Sequence, residues 1–208
     1  MDLLYPSLAT AIAYLIGSLS FAVIVSKIFG LADPRSYGSK NPGATNVLRS
    51  GSKPAAIITL ILDALKGFVP VILVQIYGKE FGLGDGTLAL VALAAFLGHV
   101  WPIFFKFKGG KGVATAAGVI FGIHWFLGLG VLASFAILLF FFRWVSFASI
   151  VAAAFAPFFY LLGDRGPWYA SKAVLLSIFI MALILAFRHK ENINRLLAGK
   201  EPKLGEKK

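Results

Sequence analysis

Residues 106–115 read KFKGGKGVAT, with hydrophobic sequence on both sides. Gly109, Gly110 and Gly112 let the main chain come close to an anion. A helix beginning at Val113 would turn its free amides and positive dipole end toward the same point. Lys111 is placed to reach a phosphoryl oxygen. The stretch departs from the G-x-x-x-x-G-K-[ST] nucleotide loop at one position: Gly112 stands where that pattern needs a magnesium-binding hydroxyl. The chemistry it fits is phosphate binding without that ligand, and no metal and no cofactor is expected. Lys106 and Lys108 also suit anchorage at acidic lipid headgroups.

Two other segments are equally rich in polar groups. The first, DPRSYGSKNPGATNVLR, spans residues 33–49. Pro34 and Pro42 bar a regular helix through it. Gly38 and Gly43 permit turns with inward-facing amides, an anion-binding nest. Ser39, Asn41, Thr45 and Asn46 offer donors and acceptors to a polyol or a phosphate, and Arg49 can grip two phosphate oxygens at once. The second, RHKENINRLLAGKE, spans residues 188–201. His189 and Asn192, three apart, share a face if the segment is helical, as do Arg188 and Asn192, four apart. The competing account of that segment is a basic amphipathic helix lying on a membrane surface.

Shorter signals accompany these. Ser146 and Ser149 sit three apart at the start of an apolar run, and Asp63 and Lys66 sit three apart inside another. Ionisable groups in a span are functional suspects, but mutual pairing accounts for Asp63 and Lys66. His99, just before the glycine-rich loop, is read as a packing or supporting residue.

Composition decides what must position these groups. Of 208 residues, 59% are hydrophobic and 14% charged, against about 45–50% and about 25% in soluble domains. Apolar runs cover residues 5–28, 54–77, 87–105, 113–125, 126–142, 146–163 and 168–187. A bilayer core needs about 20 apolar residues per helix, so the chain reads as one all-α, polytopic membrane domain over residues 1–208. The first run has no basic residue ahead of it and is too long for a signal peptide, so it is read as a retained span.

Residues 113–142 are long for one helix and short for two. Basic residues decide between them. A split near His124 puts Lys27, Arg35, Lys40, Arg49, Lys53, Lys106, Lys108, Lys111, Arg143 and the seven Lys/Arg of the tail on one face. Lys79, Arg165 and Lys172 are left on the other. A single helix would divide the basic residues ten against nine. Seven transmembrane helices are therefore expected, the two in the middle short, with the N-terminus outside and the C-terminus cytosolic. Every polar segment then lies on the cytosolic face. The net charge of +11 is read as membrane topology and anion binding, with no nucleic-acid partner. Gly118 with Gly122, and Ala152–Ala154 with Ala156, are small-residue faces for close helix contact.

Taken in order, the three polar segments resemble the acyl-phosphate:glycerol-3-phosphate acyltransferases of bacterial membranes. That family's pattern is GS-x-N-x-GATN-x-x-R, then GH-x-x-P…F-x-GGKGVAT, then RH-x-x-NI-x-R-L. Here these stand at residues 38–49, 98–115 and 188–196, and the DALKG of the second span also agrees. The resemblance implies transfer of a fatty acyl group from acyl phosphate to the 1-hydroxyl of glycerol 3-phosphate. The products would be 1-acyl-glycerol 3-phosphate and inorganic phosphate, in the first acylation of phospholipid synthesis, at the inner membrane of a bacterial cell. It implies that Ser39, Asn41, Gly43, Thr45, Asn46 and Arg49 hold substrate phosphate and glycerol oxygens. Lys111, with the amides around Gly109, Gly110 and Gly112, clamps a phosphate. Ser146, Ser149, His189 and Asn192 close the site. Lys111, Arg49, His189 and Asn192 are the expected catalytic set. The expected partners are the two substrates, membrane lipids and the soluble enzyme that makes acyl phosphate.

The residues agree with an acyl-phosphate donor. Thioester-using acyltransferases carry H-x-x-x-x-D, whereas the fifth residue after His99, His124 and His189 is Phe104, Leu129 and Asn194. A transporter of an anion or phosphate ester is the alternative. Transporters commonly show internal repeats and polar groups at the midplane, and neither is evident here. A phosphatidyl-group transferase would want an aspartate-rich motif, which the nine scattered acidic residues do not form.

Overall fold

The computed structural model describes residues 3–206. Lys207 and Lys208, counted above with the basic tail, lie outside them. In hydrocarbon a backbone must satisfy its own amides and carbonyls, so the apolar runs become helices. α1 (Leu4–Gly17) and α2 (Phe21–Ile28) form one broken span, bent by 43°. α3 (Ala44–Leu48) is a short helix in the first polar segment. α4 (Lys53–Tyr77) starts at Ser52, whose hydroxyl accepts from the Ala55 amide, with Pro54 in the first turn. α5 (Asp85–Val100) is followed by a 3₁₀ turn at Ile103–Phe105. α6 (Val113–Ile123), α7 (Trp125–Phe142), α8 (Val145–Leu162) and α9 (Lys172–Arg188) complete the apolar set. α10 (Lys190–Leu197) is polar and bends 59° away from α9.

Among the described residues, four helical segments are individually long and apolar enough to cross a bilayer, or up to six if each bent pair counts as one. The break expected near His124 is present. His124 is extended (φ −161°, ψ 127°), and its ring nitrogen accepts from the Phe126 amide. The expectation of two short middle helices needs correction, because α7 has 18 residues and only α6, with 11, is short. At 1.5 Å per residue α6 reaches about 16 Å, roughly half a hydrocarbon core.

The reason lies in where α6 begins. Gly67, well inside α4, abuts Thr115: a Cβ at Gly67 would lie 2.2 Å from the Thr115 carbonyl oxygen. A Cβ at Gly118 would lie 1.9 Å from the Ala64 carbonyl, and one at Gly122 would lie 2.9 Å from the Val71 side chain. Farther along, Gln75 Nε2 donates to the Ile123 carbonyl at 3.0 Å. The two helices thus run parallel, with α6 starting partway along α4. The glycine-rich loop descends to meet it. Gly118 and Gly122 serve as the close-contact face the sequence suggested. Ala152 and Ala156 are buried, while Ala154 faces outward.

α5 is the central helix, with α1, α4, α6 and α9 packed around it and Phe96 fully buried. One end of the bundle is closed by aromatic rings. Trp168 stacks on Tyr160 at 5.9 Å, touches His124 at 4.8 Å, and donates its indole N–H to the Tyr160 carbonyl. The other end collects residues 29–52, 101–112, the α7–α8 turn and the tail from His189.

Candidate active site

The first segment is organised by Asn46, which is 2% exposed. Its amide nitrogen donates to the carbonyls of Pro34 (2.6 Å) and Tyr37 (3.1 Å). Its oxygen accepts from the Ser39 amide (3.1 Å) and from Arg49 Nη1 (3.3 Å). The side-chain polar atoms of Asn46, expected to meet substrate oxygens, are here engaged in holding the loop. Gly38 is needed beside it. Gly38 has φ +58°, and a Cβ there would lie 2.3 Å from Asn46 Oδ1. Ser39, Thr45 and Arg49 remain exposed, with Asn41 and Gly43 half-buried. Arg35 makes a forked pair with Asp33 and lies over the Phe105 ring at 5.7 Å, tying this segment to the next.

The second segment is pressed against the end of α5. The Gly110 amide donates to the His99 carbonyl at 3.2 Å. A Cβ at Gly109 would lie 2.1 Å from that same carbonyl oxygen, and one at Gly110 would lie 2.2 Å from His99 Nε2 and 2.9 Å from the Pro42 carbonyl. The two loops therefore meet at Pro42 and Gly110. Gly112 has φ +87° and leads directly into α6. Lys106 and Phe107 hold consecutive left-handed conformations, φ 55° and 57°, which side-chain-bearing residues seldom adopt.

The third segment closes over Lys111. Lys111 Nζ donates to Asn192 Oδ1. Asn192 Nδ2 donates to Glu201 Oε1 at 2.6 Å, and the Ser146 hydroxyl donates to the same oxygen at 2.7 Å. Arg195 Nε donates to Glu201 Oε2 at 2.7 Å. Trp144 donates to the Glu201 carbonyl, and the Leu204 amide to that of Arg143, so the tail is strapped across the α7–α8 turn. Arg188 donates to the Gly109 carbonyl at 3.0 Å. His189 and Asn192 do not share one helix, because His189 stands at the bend between α9 and α10. The bend still buries both, at 2% and 7% exposure.

Lys111, His189, Asn192 and Ser146 are thus brought together from three remote segments, and the charge of Arg49 is felt at Lys111. Ser149 is not part of this contact set. Its hydroxyl donates to the Val145 carbonyl of its own helix at 2.8 Å. Glu201 is the residue the sequence reading left without a role. The only sequence signal for it is a carboxylate in a strongly basic tail. Among the described residues, no three carboxylate or imidazole side chains converge as metal ligands would.

The electrostatics follow from burial. Burial pushes the Lys111 ammonium down to about 8. Glu201 opposes that shift, while Arg195 and Arg49 add to it. Burial, then Lys111, push His189 down to about 4, so its ring is neutral at pH 7. His189 Nδ1 lies 2.8 Å from the Leu185 carbonyl, which can only accept. The proton is therefore on Nδ1, and Nε2 carries a free lone pair. Burial alone would raise the Glu201 carboxyl, but the bonds from Ser146, Asn192 and Arg195 outweigh it and hold it below the ordinary value.

Next to the glycine loop lies a cleft of about 770 Å³ bordered by Arg35, Lys40, Lys106, Lys108 and Arg188. This end of the molecule is therefore a concentration of cations around glycine-bearing loops, with the neutral imidazole of His189 beside Lys111. It can neutralise phosphate and orient a hydroxyl.

Comparison with known proteins agrees with this chemistry. The sequence model of the family described as glycerol-3-phosphate acyltransferase matches residues 7–199. A glycerol-3-phosphate acyltransferase of Albidiferax ferrireducens is 58% identical over 207 residues, covering 100% of this chain and 92% of its own. One of Burkholderia cenocepacia is 55% identical over 97% of this chain and 92% of its own. Among solved structures, PlsY (YgiH), an integral membrane glycerol 3-phosphate acyltransferase in its glycerol 3-phosphate form, superposes with a TM-score of 0.88 at 38% identity. The match covers 97% of this chain and 96% of that one. Its lysophosphatidic acid form gives 0.86 at 37% identity.

Proposed function

The chain belongs to the glycerol-3-phosphate acyltransferase family, and on that premise we propose that its acyl donor is acyl phosphate and its acceptor the 1-hydroxyl of glycerol 3-phosphate. Membership decides against the transport alternative. The solved neighbour's glycerol 3-phosphate and lysophosphatidic acid forms supply the acceptor and product by similarity. The donor is argued from the residues. No H-x-x-x-x-D motif is present, and His189, neutral at pH 7, has no carboxylate on its Nδ1.

The observation that carries the reading is the bond from Lys111 to Asn192. It brings the glycine loop together with the tail, and both with Ser146 and Glu201. The acceptor's 1-hydroxyl oxygen attacks the acyl-phosphate carbonyl carbon. An ester C–O bond forms, the carbonyl carbon's bond to the phosphate oxygen breaks, and inorganic phosphate leaves. The hydroxyl proton passes to a substrate phosphate oxygen. His189, neutral and fixed by its Nδ1 bond to the Leu185 carbonyl, helps orient the acceptor without taking that proton. Because phosphate leaves readily, positioning and charge neutralisation account for most of the rate. Lys111 and Arg49 offset the repulsion between two anionic substrates, and Ser39, Asn41, Gly43 and Thr45 hold the acceptor's oxygens. Asn46 contributes by shaping that loop.

This reading goes with seven crossing segments, the descending glycine loop and α6 together forming the fourth. The N-terminus is outside, and the site is on the cytosolic face of a bacterial inner membrane, where the basic residues gather. Acyl phosphate reaches the site from the bilayer or from the soluble enzyme that makes it.

The test is phosphate release by purified protein given acyl phosphate and glycerol 3-phosphate. Turnover is expected with acyl phosphate and not with acyl-CoA or acyl carrier protein. Turnover with either thioester in place of acyl phosphate would overturn the donor assignment.

A further inference from the structure

Three ionisable side chains outside the set above lie together inside the helical bundle. Lys66 and Asp63 of α4 form an ion pair of 2.8 Å, at 2–3% side-chain exposure. Lys66 Nζ also donates to the Leu19 carbonyl at 2.6 Å, at the break between α1 and α2. His99 Nδ1 lies 3.6 Å from the same carboxylate oxygen, a close approach without a hydrogen bond. His99 is buried, and its other ring nitrogen and its carbonyl are the atoms against which Gly110 and Gly109 rest.

A simpler account covers part of this. A broken span leaves carbonyls without helix partners, Lys66 satisfies one of them, and Asp63 neutralises Lys66. That account leaves His99 unexplained, and it leaves the choice of charged residues unexplained. Well-packed apolar residues of similar volume hold helices together as well as a buried ion pair, or better. Charges within a span are costly, and those that are kept mark function. What these groups add is a set of contacts running from the Leu19 carbonyl at the α1–α2 break, through Lys66 and Asp63 of α4, to His99 beneath the glycine loop.

We propose that Asp63, Lys66 and His99 form a buried polar post that positions the Gly109–Gly112 loop, and thereby sets where Lys111 stands relative to Asn192. They are positioning residues and touch no substrate. The inference rests on the proposed function only for its kinetic readout.

The test uses the full-length protein in detergent. Asp63→Leu with Lys66→Met removes both charges together. The thermal midpoint should hold or rise, while kcat/KM with acyl phosphate and glycerol 3-phosphate falls at least about tenfold, as expected for a small displacement of a catalytic group. His99→Gln should give a similar loss at an unchanged midpoint, and the triple variant should be no worse than the double, because one unit is being removed. Independently of activity, the rate at which Lys111 reacts with an amine-directed reagent, read by peptide mass spectrometry, should change in His99→Gln while that of Lys79 does not.

Wild-type kcat/KM in a double variant that keeps its midpoint would reduce the cluster to helix packing. If the double variant does not fold, His99→Gln decides. Unchanged kinetics and unchanged Lys111 reactivity in that variant overturn the proposal. A wild-type protein inactive on acyl phosphate would sink the donor assignment alone, and Lys111 reactivity would still test the post.

Discussion

Lys66 and Lys111 are both lysines withdrawn from water, and they are satisfied in opposite ways. Lys66 has a carboxylate at 2.8 Å and a main-chain carbonyl at 2.6 Å. Lys111 has the side-chain oxygen of Asn192, a neutral amide. The first is neutralised where it stands. The second is held in position but not neutralised, and Glu201, the nearby carboxylate, is engaged by Ser146, Asn192 and Arg195. A cation arranged in that way is suited to an incoming phosphate. A lysine held partly or wholly out of water is therefore read by what it lacks as much as by what it touches.

The comparison can be broken by experiment, beginning with the largest effect. Lys111→Ala is expected to lower kcat/KM by about 10³-fold, as when a charge-stabilising group is lost from a site, with no loss of thermal stability. Lys66→Met alone leaves Asp63 unpaired in a span and is expected to cost about 3–5 kcal/mol of stability, read as a large drop in thermal midpoint. If Lys111→Ala unfolds the protein and Lys66→Met does not, the roles of the two lysines are reversed.

Gly109→Ala comes next. Its new methyl would meet the carbonyls of His99 and Val100, at 2.1 and 2.6 Å, which are main-chain atoms that cannot swing aside. A loss of about 10²-fold in kcat/KM is expected from the displaced loop.

The pH profile sharpens the point further. Lys111 in the free protein has a pKa lowered to about 8, so its charge is present below that pH and lost as pH rises through it. kcat/KM should fall above about pH 8. Lys111→Arg, whose guanidinium stays charged, should remove that limb whatever its absolute rate. A wild-type profile flat to pH 10 would refute the role given to the ammonium. The smallest effect is expected from Ser149→Ala, within about threefold of wild type. Its hydroxyl bonds only the Val145 carbonyl of its own helix, a bond of the kind that contributes little net stability.

Much of this was legible in the residues. Long apolar runs fix helices in hydrocarbon because a helix satisfies its backbone polar groups within the one segment. The break at His124 followed from the count of basic residues on each face, and the phosphate-suited loops followed from glycine, lysine and arginine at short spacing. The pairing of Asp63 with Lys66 is equally local, being three residues along one helix.

What the tertiary structure decided are matters of direction and distance in sequence. Ser146 finds Glu201 across 55 residues, and Lys111 finds Asn192 across 81. No local spacing encodes either contact. Asn46 and Ser149 are the right types for binding, yet the turn from Pro34 to Tyr37 claims one and the preceding helical turn claims the other. α6 is short because its first turn, at Thr115, packs against Gly67 partway along α4, and that depth depends on how two helices pack. The sequence by itself determined which elements form and which chemistry they offer. The packing of those elements determined which polar side chains were consumed holding the loops, and which were left to meet a substrate.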